Sequence, residues 1–196
     1  TLAATLTAKK LGIRVGHVEA GLRSFDMTMP EEINRKVTDT LSDFLFVHEE
    51  SGMRHLRNEG HPEERIHFVG NVMIDSLLYH LEQAQSSLIR TQHGLEGVRY
   101  ALVTLHRPSN VDTAEGLARI VETLEAVAQK VSIVFPCHPR TLARLQEFGF
   151  EKRLSSNPQI LLLPPLGYLD FLHLQAHATV VLTDSGGIQE ETTALD

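Results

Sequence analysis

The chain has 196 residues, 42% of them hydrophobic, and 18 basic against 25 acidic side chains give a formal net charge of −7. That composition provides a core and excludes disorder as the main state, while the acidic balance excludes a nucleic-acid scaffold, which needs a basic face to release counterions. With no Trp and only 6% aromatic residues, stacking on single strands is excluded as well.

The single cysteine, Cys137, leaves no internal disulfide framework and no cysteine-based zinc cluster. The 11 histidines include no HExxH pair, so no metal site is expected. No apolar run approaches the roughly 20 residues that span a bilayer, and no signal-peptide pattern opens the sequence. A soluble protein of the reducing cytoplasm is the expectation.

The first residues, LAATLTAKKL, follow a helical pattern closed by Gly12. They lead straight into the strand-like IRVGHV, an arrangement that has a preceding strand in a βαβ unit. The last residues, IQEETTALD, lie in another helical pattern without a stop signal. The sequence is therefore expected to be a piece of a longer protein, cut at both ends.

Between those ends, strands are expected at Ile13 to Val18, Asp43 to Val47, Ile66 to Val69, Tyr100 to Leu105, Val131 to Pro136, Ile160 to Leu163 and Thr179 to Thr183. ALVTL, SIVF and TVVLT are apolar on both faces, as in parallel sheets covered by helices on each side. From Thr113 to Lys130, the residues Leu117, Ile120, Val121, Leu124 and Val127 recur at helical spacing. The fold class is α/β with open parallel sheets. The polar, irregular stretch 85–99 marks a boundary, with residues 1–90 in one Rossmann-like domain and 100–196 in a second.

Open α/β sheets bind ligands at the carboxyl ends of their strands, so the polar residues placed there are the candidates. His17-Val18-Glu19-Ala20-Gly21-Leu22-Arg23 sets a carboxylate and a guanidinium after a strand; a Glu19–Arg23 ion pair is the structural alternative. Pro30-Glu31-Glu32 is good helix-start chemistry in itself, yet two acids joined by the RSFDMTM loop can also divide acid and base roles. Thr104-Leu105-His106-Arg107 delivers an imidazole to a strand end, suited to an anion or to proton transfer. Phe135-Pro136-Cys137-His138-Pro139-Arg140 repeats that pattern in a rigid turn and is read as structural. In TVVLTDSGGIQEE, Ser185, Gly186 and Gly187 open a helix whose free N–H groups suit phosphate. The acids in its first turn suit ribose hydroxyls.

Together GHVEAGLR, PEEINR, VTLHRPSN and LTDSGGIQEE resemble the UDP-N-acetylglucosamine 2-epimerase family, in order and spacing, along nearly the whole chain. The resemblance implies a GT-B-like fold, two Rossmann-like domains around a cleft, both incomplete here. It also implies interconversion of UDP-GlcNAc and UDP-ManNAc without metal or redox cofactor, by loss and re-addition of UDP through 2-acetamidoglucal. The resemblance further implies a product used as a precursor of cell-surface polysaccharide. The family's catalytic groups match Glu19, Glu31 and His106. Its UDP contacts match Ser185, Gly186, Gly187 and Glu191, with Phe171 near the uracil, and the strand-end Arg23 is a further substrate-binding candidate. A further family aspartate precedes the position of Thr1, which implies activity in the longer protein rather than in these residues alone. A homodimer is the candidate assembly, with no nucleic-acid or membrane partner. A hydrolysing 2-epimerase shares all these motifs, and a GT-B glycosyltransferase shares the phosphate cradle but needs no carboxylate pair.

Overall fold

The computed structural model describes residues 1–195, and the chain divides into two compact units between Val72 and Met73. In the first unit, helix α1 (Leu2–Lys10) ends where expected. Gly12, at a left-handed φ of 72°, gives its N–H to the Lys9 carbonyl, and Ile13 reaches the Ala8 carbonyl. The Asp43 carboxylate then accepts the Val15 N–H at 2.8 Å while pairing with Lys9 at 2.8 Å. These local bonds occupy residues 13–15, so strand β1 starts later than expected, at Gly16–Val18.

Helix α2 (Pro30–Leu41) joins β1 to β2 (Phe44–Val47), and α3 (Glu50–Asn58) leads on to β3 (Ile66–Phe68). The three strands lie parallel in the order β1-β2-β3, with Gly16 beside Phe44 and Leu45 beside Ile66. Each parallel step requires a crossover, which the helices supply. Leu45 and Val47 turn to one face and form a buried cluster with Ala20, Leu56 and Ile66. Their neighbours Phe44 and Phe46 stack with ring centroids 6.3 Å apart.

The second unit opens with α4 (Val72–Ala84) and the short α5 (Ile89–Gln92). Strand β4 (Tyr100–Thr104) is followed by α6 (Pro108–Val111), α7 (Ala114–Ala128) and β5 (Ser132–Pro136). Helices α8 (Pro139–Glu147) and α9 (Glu151–Ser155) lead to β6 (Ile160–Leu163). Helix α10 (Tyr168–Ala176), β7 (Val180–Thr183) and α11 (Gly186–Leu195) complete it. Its sheet is parallel throughout, in the order β6-β5-β4-β7.

β4 is buried on both faces, as its unbroken apolar run requires. Ala101 and Val103 join Ile133 and Phe135 under Leu117, Val121 and Leu124 of α7. Tyr100 and Leu102 join Val134, Leu163 and Leu174 on the opposite side. Each fully buried Val, Leu, Ile or Phe among them contributes about 1.5–3 kcal/mol. The Tyr100 hydroxyl donates to the Leu174 carbonyl at 2.7 Å, and burial pushes it up to about 12. Burial likewise pushes the Cys137 thiol up to about 12, which makes it an inert core group.

The division at Val72 falls well before the boundary near residue 90 expected from the irregular stretch. The reason is packing. Leu77 and Ala84 of α4 are buried with Leu172 of α10, Ser87 donates to Asp170 at 2.6 Å, and Ile89 and Leu95 enter the core of the second sheet. Residues 85–99 are thus an integral part of the second unit rather than a linker. Among the described residues, no helix is long and apolar enough to cross a membrane.

Candidate active site

In the first unit the chain leaves β1 through Glu19, whose backbone sits at a left-handed φ of 65°. Such a conformation costs a non-glycine residue about 1–3 kcal/mol and persists only where surrounding contacts impose it. Here they do. The Ala20 N–H bonds the Phe46 carbonyl at 3.0 Å, and the Gly21 N–H bonds the Asp39 carboxylate at 3.2 Å. Glu19 therefore lines a cavity of about 580 Å³ together with His17, Leu22, Glu31, Asn34, Arg35 and Thr38. The structure brings the two expected carboxylates, Glu19 and Glu31, to one concavity.

The neighbouring acids of the PEE start have opposite fates. Glu31 is exposed, whereas Glu32 is fully buried. Glu32 accepts the N–H groups of Ser24 at 2.9 Å and Phe25 at 3.2 Å and pairs with Arg35 at 2.7 Å. Burial opposes the charge of Glu32, but the Ser24 N–H, Arg35 and the Phe25 N–H outweigh it and hold the carboxyl at about 2. Glu32 thus fastens the loop that connects Glu19 to Glu31.

Arg23 departs from expectation. Among the described residues its ion-pair partners are Asp39 and Glu59 rather than Glu19. Its side chain is fully buried, 2.8 Å from Asp39 and 2.6 Å from Glu59. Burial disfavours its charge, yet the two carboxylates outweigh that and raise its pKa above the ordinary value. Asp39, also fully buried, accepts in addition from His17 Nδ1 at 2.5 Å. The sequence reading missed this carboxylate. Its signal is an acid near the carboxyl end of a helix, where the dipole disfavours it unless donors compensate.

In the second unit His106 follows β4, with its ring partly exposed. Its Nδ1 lies 2.8 Å from Asp184, which stands at the end of the adjacent β7. Asp184 also accepts the N–H groups of His106 at 3.1 Å and Arg107 at 2.8 Å, and the Asn110 amide at 2.9 Å. Burial pulls Asp184 up, but these donors outweigh it and hold the carboxyl below its ordinary value. Asp184 was legible only as the end of a strand. Its hold on His106 depends on the pairing of β4 with β7, which no local pattern reveals. The His138 ring stands 5.8 Å from that of His106, while His138 itself caps α8 by accepting the Arg140 N–H at 3.2 Å.

After Asp184, Ser185 turns the chain into α11, its hydroxyl accepting the Ile188 N–H at 3.5 Å. A Cβ at Gly186 would meet nothing within 4 Å, and one at Gly187 would meet only Met73 Sδ at 3.9 Å. The helix start is accordingly open to close approach by a ligand. Glu191, one turn on, is pushed above its ordinary value by burial, partly offset by Gln175 and Tyr168 beside it. Phe171 of α10 packs half-buried against the second sheet. Among the described residues, no group of three or more His, Cys, Asp or Glu side chains could hold a metal ion.

The carboxylates at a strand end in the first unit are of the kind that does acid–base chemistry, and in the second unit a held imidazole beside an open helix start suits an anion, an arrangement at home in α/β proteins. The chain belongs to the UDP-N-acetylglucosamine 2-epimerase family, whose model matches residues 1–196. It is 41% identical over 206 residues to the UDP-N-acetylglucosamine 2-epimerase of Methanococcus maripaludis, covering 100% of this chain and 55% of that protein. It is 42% identical to the UDP-2,3-diacetamido-2,3-dideoxy-D-glucuronate 2-epimerase of Pseudomonas aeruginosa, covering 97% and 52%. The crystal structure of the Methanocaldococcus jannaschii UDP-GlcNAc 2-epimerase in complex with UDP-GlcNAc and UDP resembles it with a TM-score of 0.85 at 45% identity, covering 99% and 54%. The chain spans about half the length of the curated relatives it matches.

Proposed function

We propose that the protein containing this chain interconverts UDP-GlcNAc and UDP-ManNAc by eliminating and re-adding UDP, with inversion at C2 and no net hydrolysis. The observation that carries this reading is the presence of Glu19 and Glu31 in one cavity at the end of β1. One carboxylate takes the C2 proton as the C1–O bond to UDP breaks, leaving 2-acetamidoglucal. The other, as the acid, returns a proton to the opposite face of C2 as the UDP oxygen closes on C1.

His106 serves the diphosphate side, where negative charge grows as the bond breaks. Ser185, Gly186 and Gly187 cradle the diphosphate through the start of α11, Glu191 accepts from ribose hydroxyls, and Phe171 lies near the uracil. Arg23 supports the site from beneath through Asp39 rather than touching substrate. A homodimer acting in the cytoplasm completes the proposal.

The test is incubation of the full-length protein with UDP-GlcNAc in D2O without any acceptor. Deuterium at C2 of product UDP-ManNAc is the expected result. A glycosyltransferase leaves C2 untouched, and a hydrolysing epimerase releases UDP with free ManNAc. UDP-ManNAc formed without deuterium would overturn the elimination route. The similarity to the Pseudomonas relative favours one second reading, epimerisation at C2 of a UDP-2,3-diacetamido uronate. Turnover of that substrate alone would select it.

A further inference from the structure

We propose that Asp184 is a positioning residue that commits Nδ1 of His106 as a hydrogen-bond donor, so that Nε2 is the nitrogen presented to the ligand. The inference rests on the reading of His106 as the group on the diphosphate side, although its first test does not.

The two carboxylate oxygens of Asp184 are not equivalent. Oδ2 accepts the Arg107 N–H at 2.8 Å, the Asn110 amide at 2.9 Å and the His106 N–H at 3.1 Å. Oδ1 accepts that same His106 N–H at 3.1 Å and faces His106 Nδ1 at 2.8 Å. All these neighbours are donors except the ring nitrogen, which can either donate or accept. An ionised carboxylate only accepts, so Nδ1 must carry the proton. The Asp184 side chain is almost wholly buried while the His106 ring is 42% exposed, so the pair is anchored at its carboxylate end.

One consequence concerns leaving-group chemistry. A neutral imidazole with a free Nε2–H cannot form against this partner. Nε2 instead alternates between a bare lone pair and, in the imidazolium, an N–H able to hydrogen-bond a phosphate oxygen. It is this nitrogen that faces the charge developing on the departing diphosphate. Other groups near the ring are the His138 imidazole and the adjoining Arg107.

Asp184→Asn distinguishes this role from simple anchorage of the turn. The amide oxygen takes the Oδ2 place, where three donors converge, and the NH2 then faces Nδ1. That arrangement makes Nδ1 an acceptor and moves the ring proton to Nε2.

The experiment is long-range 1H–15N correlation on the full-length protein under conditions where the ring is neutral, with the His106 signal assigned from its loss in His106→Gln. The expected result is an Nδ1-protonated ring in the unaltered protein and an Nε2-protonated ring in Asp184→Asn. The variant is further expected to lose about 100-fold or more in kcat with KM changed less than about threefold. An Nε2-protonated ring in the unaltered protein overturns the inference, even should the variant fail to fold. A flipped ring with kcat retained overturns the link to turnover. Absence of epimerase activity with the tautomers as expected would instead retire the reading of function and leave the positioning intact.

Discussion

Gly21 and Gly52 meet backbone to backbone, so closely that a Cβ on Gly21 would stand 2.5 Å from the Gly52 carbonyl oxygen. Gly21 also holds a φ of 81°, open to glycine at little cost. This contact seats the start of α3 against the loop that carries Glu19. Gly21→Ala therefore combines backbone strain with a clash that no side-chain rotation relieves. It is expected to destabilise the protein by about 3 kcal/mol or more, read as a lower urea midpoint. A midpoint unchanged from that of the unaltered protein would contradict the contact.

The adjacent acids Glu31 and Glu32 should separate by phenotype. Glu32 is held at about 2, below its ordinary value of 4.5. A depressed carboxyl stabilises the fold fully above its unfolded pKa, and that contribution disappears as pH falls through the folded one. Stability should thus decline between about pH 4.5 and 2 because of Glu32. Glu32→Gln should lower stability near neutrality and flatten this acid dependence in urea titrations at several pH values. Glu31→Gln, at an exposed position, should leave stability within about 0.5 kcal/mol while suppressing C2 deuterium exchange about 100-fold or more.

Glu19 sits in a left-handed conformation that glycine adopts freely. Glu19→Gly is expected to stabilise the fold by about 1 kcal/mol and to abolish C2 exchange. Greater stability with less activity is the mark of strain retained for function. A variant less stable than the parent would show that the Glu19 side chain, rather than the loop around it, holds that backbone.

Much of this architecture can be read from the sequence. Among the described residues, seven strands occur where seven β-rich runs stand, because both-face apolar runs such as ALVTL have few other places to be buried. The ends of the strands are less legible, since Asp43 captures the backbone at Val15 from 28 residues away. The unit boundary is illegible for a related reason. A polar, irregular composition signals a linker, but Ile89 and Leu95 are enough to anchor residues 85–99 in the second core. Among the candidate residues of the two units, Glu19, Glu31 and His106 stand out as strand-end or helix-start residues. Asp39 and Asp184, which hold the rings of His17 and His106, are fixed by tertiary pairing alone.

The start of α11 offers a direct test of the phosphate cradle. Ser185→Trp places a large ring at the open helix start while altering no core residue. It is expected to weaken UDP binding to the full-length protein by about 100-fold or more, measured by calorimetry, with the unfolding midpoint nearly unchanged. Full UDP affinity in the folded variant would place the diphosphate elsewhere.

Arg23 provides the sharpest contrast between motif and structure, because its place in GHVEAGLR suggests a ligand contact and its surroundings do not. Its Nε and one terminal nitrogen engage Glu59 at 2.9 and 2.6 Å, and that same terminal nitrogen reaches Asp39 at 2.8 Å. A planar fork satisfies both carboxylates at once, and a single ammonium does not. Arg23→Met leaves the buried Asp39 charge short of a partner and is expected to cost about 3–5 kcal/mol. Arg23→Lys should restore charge but not geometry, and fall between the two. In both variants the KM for UDP-GlcNAc, measured below the unfolding transition, should stay within about threefold of the parent. A tenfold or larger rise in KM in a variant as stable as the parent would return Arg23 to the substrate. Loss of stability at constant KM assigns it to the scaffold that aims Glu19.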